Sequence, residues 1–375
     1  LKKNKIWLSP PHMGGSELKY IQNAFDTNRI SQYGSNIDEF ENSLENYLGH
    51  NSFVTALSSG TAAIHLALRL LNVEKGDFVI CQSFTFVATA NPILYLKAVP
   101  VFVDSEDQTW NMCPDALEEA VKHCIQQGKK PKAIITVSLY GMPFMVDEIL
   151  EISKKYEIPV IEDSAEALGS KYKNRLCGTF GDLAVISFNG NKIITTGGGG
   201  VLISKNKDLK NRALFLATQA KDSKEFYSHS ELGYNYRMDN VAAGIGRGQL
   251  ESLEDKVSQR RKNHDFYQEL VGNNEDIDLF SAPNSDFFSN YWLNTVILKN
   301  DRSKEKLKNE FLLNNIETRY LWKPMHLQPL YKGYRFFGNN LCGTLFEAGL
   351  CLPSGSNLTD DCRTRISEVV QNKIY

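Results

Sequence analysis

Lys192 sits in a polar turn, Asn189-Gly190-Asn191-Lys192, that follows an apolar run, Leu183-Ala184-Val185-Ile186, ending in Ser187 and Phe188. Four glycines, Gly197 to Gly200, and a second apolar run, Val201-Leu202-Ile203-Ser204, come after it. The pattern predicts two strands joined by a glycine-flanked turn. A lysine buried at a strand end is costly without a partner, and its neutral amine can attack a carbonyl to form a Schiff base. The competing reading is a solvated loop lysine. Three other clusters bear on the choice. Ser58-Ser59-Gly60-Thr61 follows one apolar run and opens a helical pattern. There Gly60 permits close backbone approach to an anion and the free amides of a helix start bind phosphate, although Ser and Thr also cap helices with no ligand present. Ser83-Phe84-Thr85-Phe86 follows another run, and Phe86 offers a face either to a flat ring or to the core. Glu162-Asp163-Ser164-Ala165-Glu166 ends a third. A buried Asp163 needs a cationic or hydrogen-bonding partner, whether a ligand nitrogen or a structural salt bridge.

One cofactor requires all four clusters at once. Pyridoxal phosphate needs a lysine for its aldehyde, a carboxylate at its ring nitrogen, a face to stack on and a cup for its phosphate. The carboxylate keeps the ring nitrogen protonated, and this makes the ring an electron sink. The phosphate anchors the group whenever the lysine lets go.

The elements that must position these clusters alternate. Strands are expected from Phe53 to Leu57, Phe78 to Cys81, Val99 to Val103, Ala133 to Val137 and Pro159 to Glu162. Helices are expected from Ala62 to Leu71, Val87 to Leu96, Asp115 to Gln127 and Met145 to Tyr156. Such alternation implies a mostly parallel sheet with helices on both faces and ligands at the carboxyl ends of the strands, where each cluster falls. Two helices precede the sheet. Gly15 to Asn28 would turn Leu18, Ile21, Ala24 and Phe25 inward, and Ile37 to Leu48 would turn Phe40, Leu44, Tyr47 and Leu48 inward. Asn240 to Leu270 reads as one long helix in which Gly244, Gly246 and Gly248 allow close packing. A strand from Tyr291 to Leu298 and further helices suggest a smaller domain folding back over the site. The expected class is therefore α/β, with a large domain over residues 10–240 and a small α/β C-terminal domain over residues 241–375.

Composition narrows the partners. A length of 375 residues leaves room for about two to three domains. With 42 basic and 44 acidic residues there is no cationic surplus for nucleic acid or a membrane surface. No apolar run approaches the ~20 residues of a spanning helix. The opening Leu1-Lys2-Lys3-Asn4-Lys5-Ile6-Trp7 lacks the apolar core of a signal peptide. The cysteines, Cys81, Cys113, Cys124, Cys177, Cys342, Cys351 and Cys362, include no closely spaced pair. That argues against a metal site and for free thiols in a cytoplasmic protein.

Five stretches in order resemble the DegT/DnrJ/StrS sugar aminotransferases, pyridoxal-phosphate enzymes of the aspartate-aminotransferase fold type (fold type I). They are Leu57-Ser58-Ser59-Gly60-Thr61-Ala62-Ala63, Phe84-Thr85-Phe86-Val87-Ala88-Thr89, Ile161-Glu162-Asp163-Ser164-Ala165, Ser187-Phe188 through Lys192, and Gly233-Tyr234-Asn235-Tyr236-Arg237-Met238. The resemblance covers nearly the whole chain and implies a seven-stranded sheet in the large domain. It implies that Lys192 bonds the cofactor and then shuttles the proton, that Asp163 pairs with the ring nitrogen and that Phe86 stacks on the ring. Gly60, Thr61 and Ser187 would hold the phosphate, with Ser59 beside them. Glu166 stands near the ring hydroxyl, where Gln or His is common in the family, and Gly198 stands where many members carry an acid. Asn235 matches the position that reaches the phosphate of the neighbouring subunit, which implies a homodimer with shared sites.

Members acting on UDP-linked 4-keto-6-deoxy-N-acetylhexosamines are similar at Glu166, at Gly198 and along Glu317 to Pro329. The implied reaction moves an amino group from L-glutamate to C4 of such a sugar, for surface-glycan or glycoprotein synthesis. GDP- or dTDP-linked 3- or 4-keto-6-deoxy sugars are the alternative. Two loops are candidates for holding the nucleotide sugar: Asn28, Arg29, Ile30 and Ser31, and Lys323, Met325, His326 and Leu327. Arg and Lys suit a diphosphate, and either is equally at home as solvated surface charge. Family members that are dehydrases carry histidine at the lysine position, so Lys192 favours transamination. An oxidoreductase with a dinucleotide site has only Gly197 to Gly200 in its favour, and these precede a strand where that fingerprint needs a helix. Lys192 and Asp163 together argue against a silent binding protein.

Overall fold

The computed structural model describes residues 4–49, 51–272, 274–299 and 301–374; Leu1–Lys3, at the head of the stretch read for a leader, and Tyr375 lie outside it. Its main sheet has the spatial order Phe53–Leu57, Gly200–Ser204, Leu183–Ser187, Val160–Asp163, Ala133–Val137, Phe78–Gln82, Val99–Val103 and Phe336–Phe337. From Leu183–Ser187 onward every neighbouring pair is parallel. Gly200–Ser204 runs antiparallel to both of its neighbours. The seven expected strands are all present. An eighth, the two-residue strand Phe336–Phe337, docks beside Val99–Val103 from far along the chain, too short for any periodicity to reveal. Helices cover both faces, so the inner strands are apolar throughout rather than alternating, as in the fully buried Ala133-Ile134-Ile135-Thr136-Val137. Ile80 and Ile134 feed the core on one face, and Val79 and Ile135 that on the other.

A second, antiparallel sheet has the order Ile277–Leu279, Asn294–Leu298, Gly349–Leu352 and Arg319–Tyr320. With helices Leu253–Val271 and Asp360–Ile374 it encloses a third core that includes Tyr267, Val296, Phe311, Leu350 and Ile366. No helix among the described residues is long and apolar enough to cross a membrane, and all seven cysteines are free thiols.

Three local expectations are corrected. The long helix after Asn240 is two helices, Asn240–Leu250 and Leu253–Val271. The break falls where the Ser252 hydroxyl turns back to donate to the Gln249 carbonyl at 3.0 Å, a local bond that competes with the helix. The expected strand from Tyr291 starts only at Asn294, because Tyr291 is left-handed with φ 46°. In helix Glu17–Asp26, Ala24 is fully buried while Leu18 and Phe25 are 77% and 59% exposed. This helix lays its backbone at Glu17 and Tyr20 against Gly248 and Gly244 of helix Asn240–Leu250. A Cβ on Gly248 would stand 2.6 Å from the Glu17 backbone nitrogen, and one on Gly246 would stand 2.7 Å from the Phe40 ring. Gly246→Ala is accordingly expected to destabilise the fold by about 1–3 kcal/mol through overpacking, read as a shifted denaturant midpoint with an unchanged slope.

Two buried histidines make stability pH-dependent. Burial pulls His65 and His264 down to about 4, below the ordinary 6.5. Their folded-state pKa values are depressed, so the unfolded chain takes up protons first as pH falls below 6.5. The stability held at neutral pH is lost progressively between about 6.5 and 4. At pH 5 each site costs on the order of 2 kcal/mol relative to pH 7.5. Denaturant melts at the two pH values should show this loss, and His264→Gln should remove about half of it.

Candidate active site

The turn that carries Lys192 is the loop of a hairpin. Strand Leu183–Ser187 leads through it into Gly200–Ser204, with Ser187 paired to Gly200. The Phe188 N–H donates to the Gly199 carbonyl at 2.9 Å, and the Thr196 N–H to the Phe188 carbonyl at 3.0 Å. These bonds close the loop's base and leave Lys192 at the carboxyl end of the sheet. Gly200 is required by close approach: a Cβ there would sit 2.5 Å from the Gly60 nitrogen. That contact brings the lysine hairpin against the start of helix Gly60–Leu70, whose first turn is capped by Ser59 Oγ accepting from the Ala62 N–H at 3.0 Å.

Ser59, Gly60, Thr61, Phe86, Asp163, Glu166, Ser187 and Lys192 line one cavity of about 320 Å³, together with Thr89, Gly198, Trp292 and Trp322. The Lys192 side chain is 12% exposed, and its Nζ lies 3.3 Å from Glu166 Oε1 and 4.0 Å from the centre of the Trp292 ring. Glu166 Oε2 accepts the Tyr140 N–H at 2.7 Å, and Tyr140 itself is left-handed at φ 55°. Burial pushes the Glu166 carboxyl up, against the pull of Lys192. Asp163 is 4% exposed. Its Oδ2 accepts the Thr89 hydroxyl at 2.7 Å and its Oδ1 the Ala165 N–H at 3.1 Å. Thr89 in turn shares a 2.7 Å bond with Thr85. Burial pushes Asp163 up as well. Phe86, 51% exposed at the head of helix Val87–Tyr95, lies 5.5 Å from the Trp322 ring.

These residues fit pyridoxal phosphate. Asp163 is a buried carboxylate that forms no ion pair among the described residues and feels Lys192 only through its charge, so a cationic ring nitrogen would be its close partner. Gly60, packed against Gly200, brings a backbone with no side chain of its own to the cavity at the helix start, as a phosphate cup needs. Phe86 presents a free aromatic face.

Asn235 is not in the cavity. It is exposed, and its Oδ1 accepts from Gln219 Nε2 at 3.1 Å and from Gln32 Nε2. Neither candidate sugar loop lines the cavity either. Asn28, Arg29, Ile30 and Ser31 are exposed, and the Arg29 and Ser31 carbonyls accept from Asn240 at 2.6 and 2.7 Å. Lys323 and Leu327 are exposed, and Met325 is a core residue at 2% exposure. His326 bridges Ser83 Oγ at 2.8 Å and Asn340 Oδ1 at 3.1 Å and stacks on Phe336. Both ring nitrogens are therefore engaged within the fold. Sequence reasoning missed Thr89, Trp292 and Trp322. Thr89 carried a signal, three residues past Phe86 on one helix face. The two tryptophans lie in irregular segments with no periodicity to mark them.

Known proteins resemble this chain over nearly its whole length. Residues 11–371 match the DegT/DnrJ/EryC1/StrS aminotransferase family. A Bacillus subtilis protein that carries the name of a pyridoxal phosphate-dependent aminotransferase, EpsN, is 49% identical, over 98% of this chain and 95% of that one. GDP-perosamine synthase of Escherichia coli O157:H7 is 36% identical over 97% of each. Among solved structures, a DegT DnrJ EryC1 StrS aminotransferase from Brucella abortus superposes with a TM-score of 0.89 at 28% identity over 95% of each chain. The chain thus belongs to the DegT/DnrJ/EryC1/StrS aminotransferase family.

Proposed function

We propose that this aminotransferase uses pyridoxal phosphate on Lys192 to move the amino group of L-glutamate to C4 of a UDP-linked 4-keto-6-deoxy-N-acetylhexosamine. The observation that carries the chemistry is one cavity holding a mostly enclosed lysine amine, a buried carboxylate with no ion pair among the described residues, and the Gly60 backbone of a helix start. When bound, pyridoxal phosphate supplies an electron sink for the carbanion formed at the carbon that bears the amino group. The chain's own residues do the rest. Lys192 Nζ gives up a proton to react and then carries one between donor and acceptor carbons. Glu166 holds that amine at 3.3 Å when it is charged. Thr89 fixes the rotamer of Asp163 so that the carboxylate faces the cavity. Ser59 caps the helix whose Gly60 and Thr61 amides would hold the phosphate, and Phe86, beside Trp322, would stack on the cofactor ring.

The UDP-linked acceptor is supported by the likeness of Glu166, Gly198 and the stretch Glu317 to Pro329 to members with that substrate. A GDP-linked acceptor is the second reading, favoured by the GDP-perosamine synthase relative. A half-reaction decides. The protein is loaded with L-glutamate, freed of it, and offered UDP-, GDP- and dTDP-linked 4-keto-6-deoxy sugars separately. Return of the original visible spectrum is expected at least about 10-fold faster with the UDP sugar, the discrimination one or two specific contacts give. Return with the GDP or dTDP sugar alone would refute that assignment.

The active form in this reading is a cytoplasmic homodimer in which Asn235 reaches the partner's phosphate. Its support is the exposure of Asn235 away from its own cavity, and the apolar Leu18, Phe25 and Ile30 left uncovered on the same chain. Sedimentation together with activity at high dilution tests it. A fully active monomer contradicts it.

A further inference from the structure

The backbone next to Lys192 is held from outside its own loop by donors from distant parts of the chain. The carbonyl oxygen of Asn191 accepts the Ser9 hydroxyl at 2.7 Å and the Trp292 indole N–H at 2.7 Å. Two good donors on one oxygen satisfy both of its lone pairs and fix the plane of the peptide that leads into Lys192. The same indole presents its face to Lys192 Nζ at 4.0 Å. One side chain therefore touches the lysine at its backbone and at its amine.

Behind both donors stands Arg260, only 1% exposed. Its Nη2 donates to Ser9 Oγ at 3.0 Å, and its Nη1 to the carbonyls of Trp292 at 2.5 Å and Ser354 at 3.1 Å. It has no carboxylate partner among the described residues. A buried guanidinium paired only with neutral groups is a costly element of a core. What it does here is order the two groups that hold the Asn191 carbonyl. The hydroxyl of Ser9, occupied as acceptor by Arg260, must point its proton at Asn191, and the Trp292 backbone is tethered at its own carbonyl.

We infer that Trp292 is a positioning residue for Lys192. Its N–H, with Ser9 and through Arg260, fixes the turn that carries the lysine, and its ring face packs against Nζ. This rests on Lys192 being the reacting amine. The other charged groups facing Nζ are Glu166, at 3.3 Å, and Asp163, which acts on it through its charge.

The test compares Trp292→Phe, which keeps a ring and deletes the N–H, with Ser9→Ala, both as full-length protein loaded with cofactor. A small displacement of a reacting group costs up to about 10²-fold in rate, so Trp292→Phe is expected to lower kcat about 10- to 100-fold. The KM for glutamate should stay within about threefold, since no binding contact is removed. A phenyl ring is smaller than the indole that packs on Nζ at 4.0 Å, so the visible absorption band of the lysine-bound cofactor should shift as well. Ser9→Ala should lower kcat about 3- to 10-fold, the worth of one neutral hydrogen bond, with its melting temperature nearly unchanged. Wild-type kcat in both variants, or a kcat loss in Trp292→Phe with no movement of the visible band, overturns the inference. If Trp292→Phe does not fold, Ser9→Ala decides it alone. Borohydride reduction of the unaltered protein followed by peptide mapping separates the two levels. No pyridoxyl group on Lys192 removes the underlying reading, whereas a labelled Lys192 with indifferent variants removes only the positioning role.

Discussion

Lys192→Ala is expected to reduce transamination by at least about 10³- to 10⁴-fold, the range lost when a positioned group that moves a proton is removed, with the covalent attachment lost as well. The side chain is enclosed between the Glu166 carboxylate and the Trp292 face, and among the described residues no other lysine lines the cavity. No second amine is therefore placed to take over. Lys192→Arg makes the result specific. It keeps a cation beside Glu166, so the buried carboxylate stays compensated, but a guanidinium does not give up its proton at working pH. If Lys192 served only as a charge, arginine would keep most of the rate. If it reacts through a neutral amine, arginine is as inactive as alanine, and a small added amine restores part of the rate to the alanine variant alone. Borohydride treatment and peptide mapping give the independent readout. A pyridoxyl group found elsewhere in Lys192→Ala, with activity retained, would end the assignment.

What the sequence made legible was set by the sheet. Inner strands covered on both faces are continuous apolar runs, and in such a sheet the residues just past each run share one edge. Ser59 to Thr61, Phe86, Asp163 and Lys192 could be grouped for that reason before any coordinates, and they line one cavity. Periodicity says which face of a helix is apolar but not what covers it, so Leu18 and Phe25 were assigned to a core that Ala24 alone enters. It is also blind to a single side-chain bond, such as the one from Ser252 that divides the expected long helix. Trp292 and Trp322 were illegible for a different reason. Each lies in an irregular segment, and each is brought to the cavity by contacts more than a hundred residues away in sequence: the Trp292 indole by the Asn191 carbonyl, the Trp322 N–H by the Tyr140 hydroxyl. Polar groups in such segments are placed by tertiary contacts rather than by local propensity.

Asp163→Asn should produce the second large loss, and its pattern should differ from that of Lys192. The substitution keeps the shape of the side chain, and the amide oxygen can still accept the Thr89 hydroxyl that now sits 2.7 Å from Oδ2. What disappears is one negative charge at a site 4% exposed. An opposite charge at close range shifts a partner's pKa by about 1–3 units, and losing it lowers the protonated fraction of the ring nitrogen by the same factor. A rate loss of about 10- to 10³-fold follows if that protonated form is the reactive one. Attachment at Lys192 should survive, since the lysine and Glu166 are untouched, so borohydride should still fix the cofactor there. Thr89→Val probes the same carboxylate from its other side. Without the hydroxyl, Asp163 loses one hydrogen bond but keeps its charge, and the expected loss is only about 3- to 10-fold, the worth of one hydrogen bond to a charged group at the weak end of its range. Asp163 acts as the counter-charge if Asn is far worse than the Thr89 change while both retain cofactor. Full activity in Asp163→Asn would show that the buried carboxylate serves the fold, through Thr89 and the Ala165 N–H, rather than the ring.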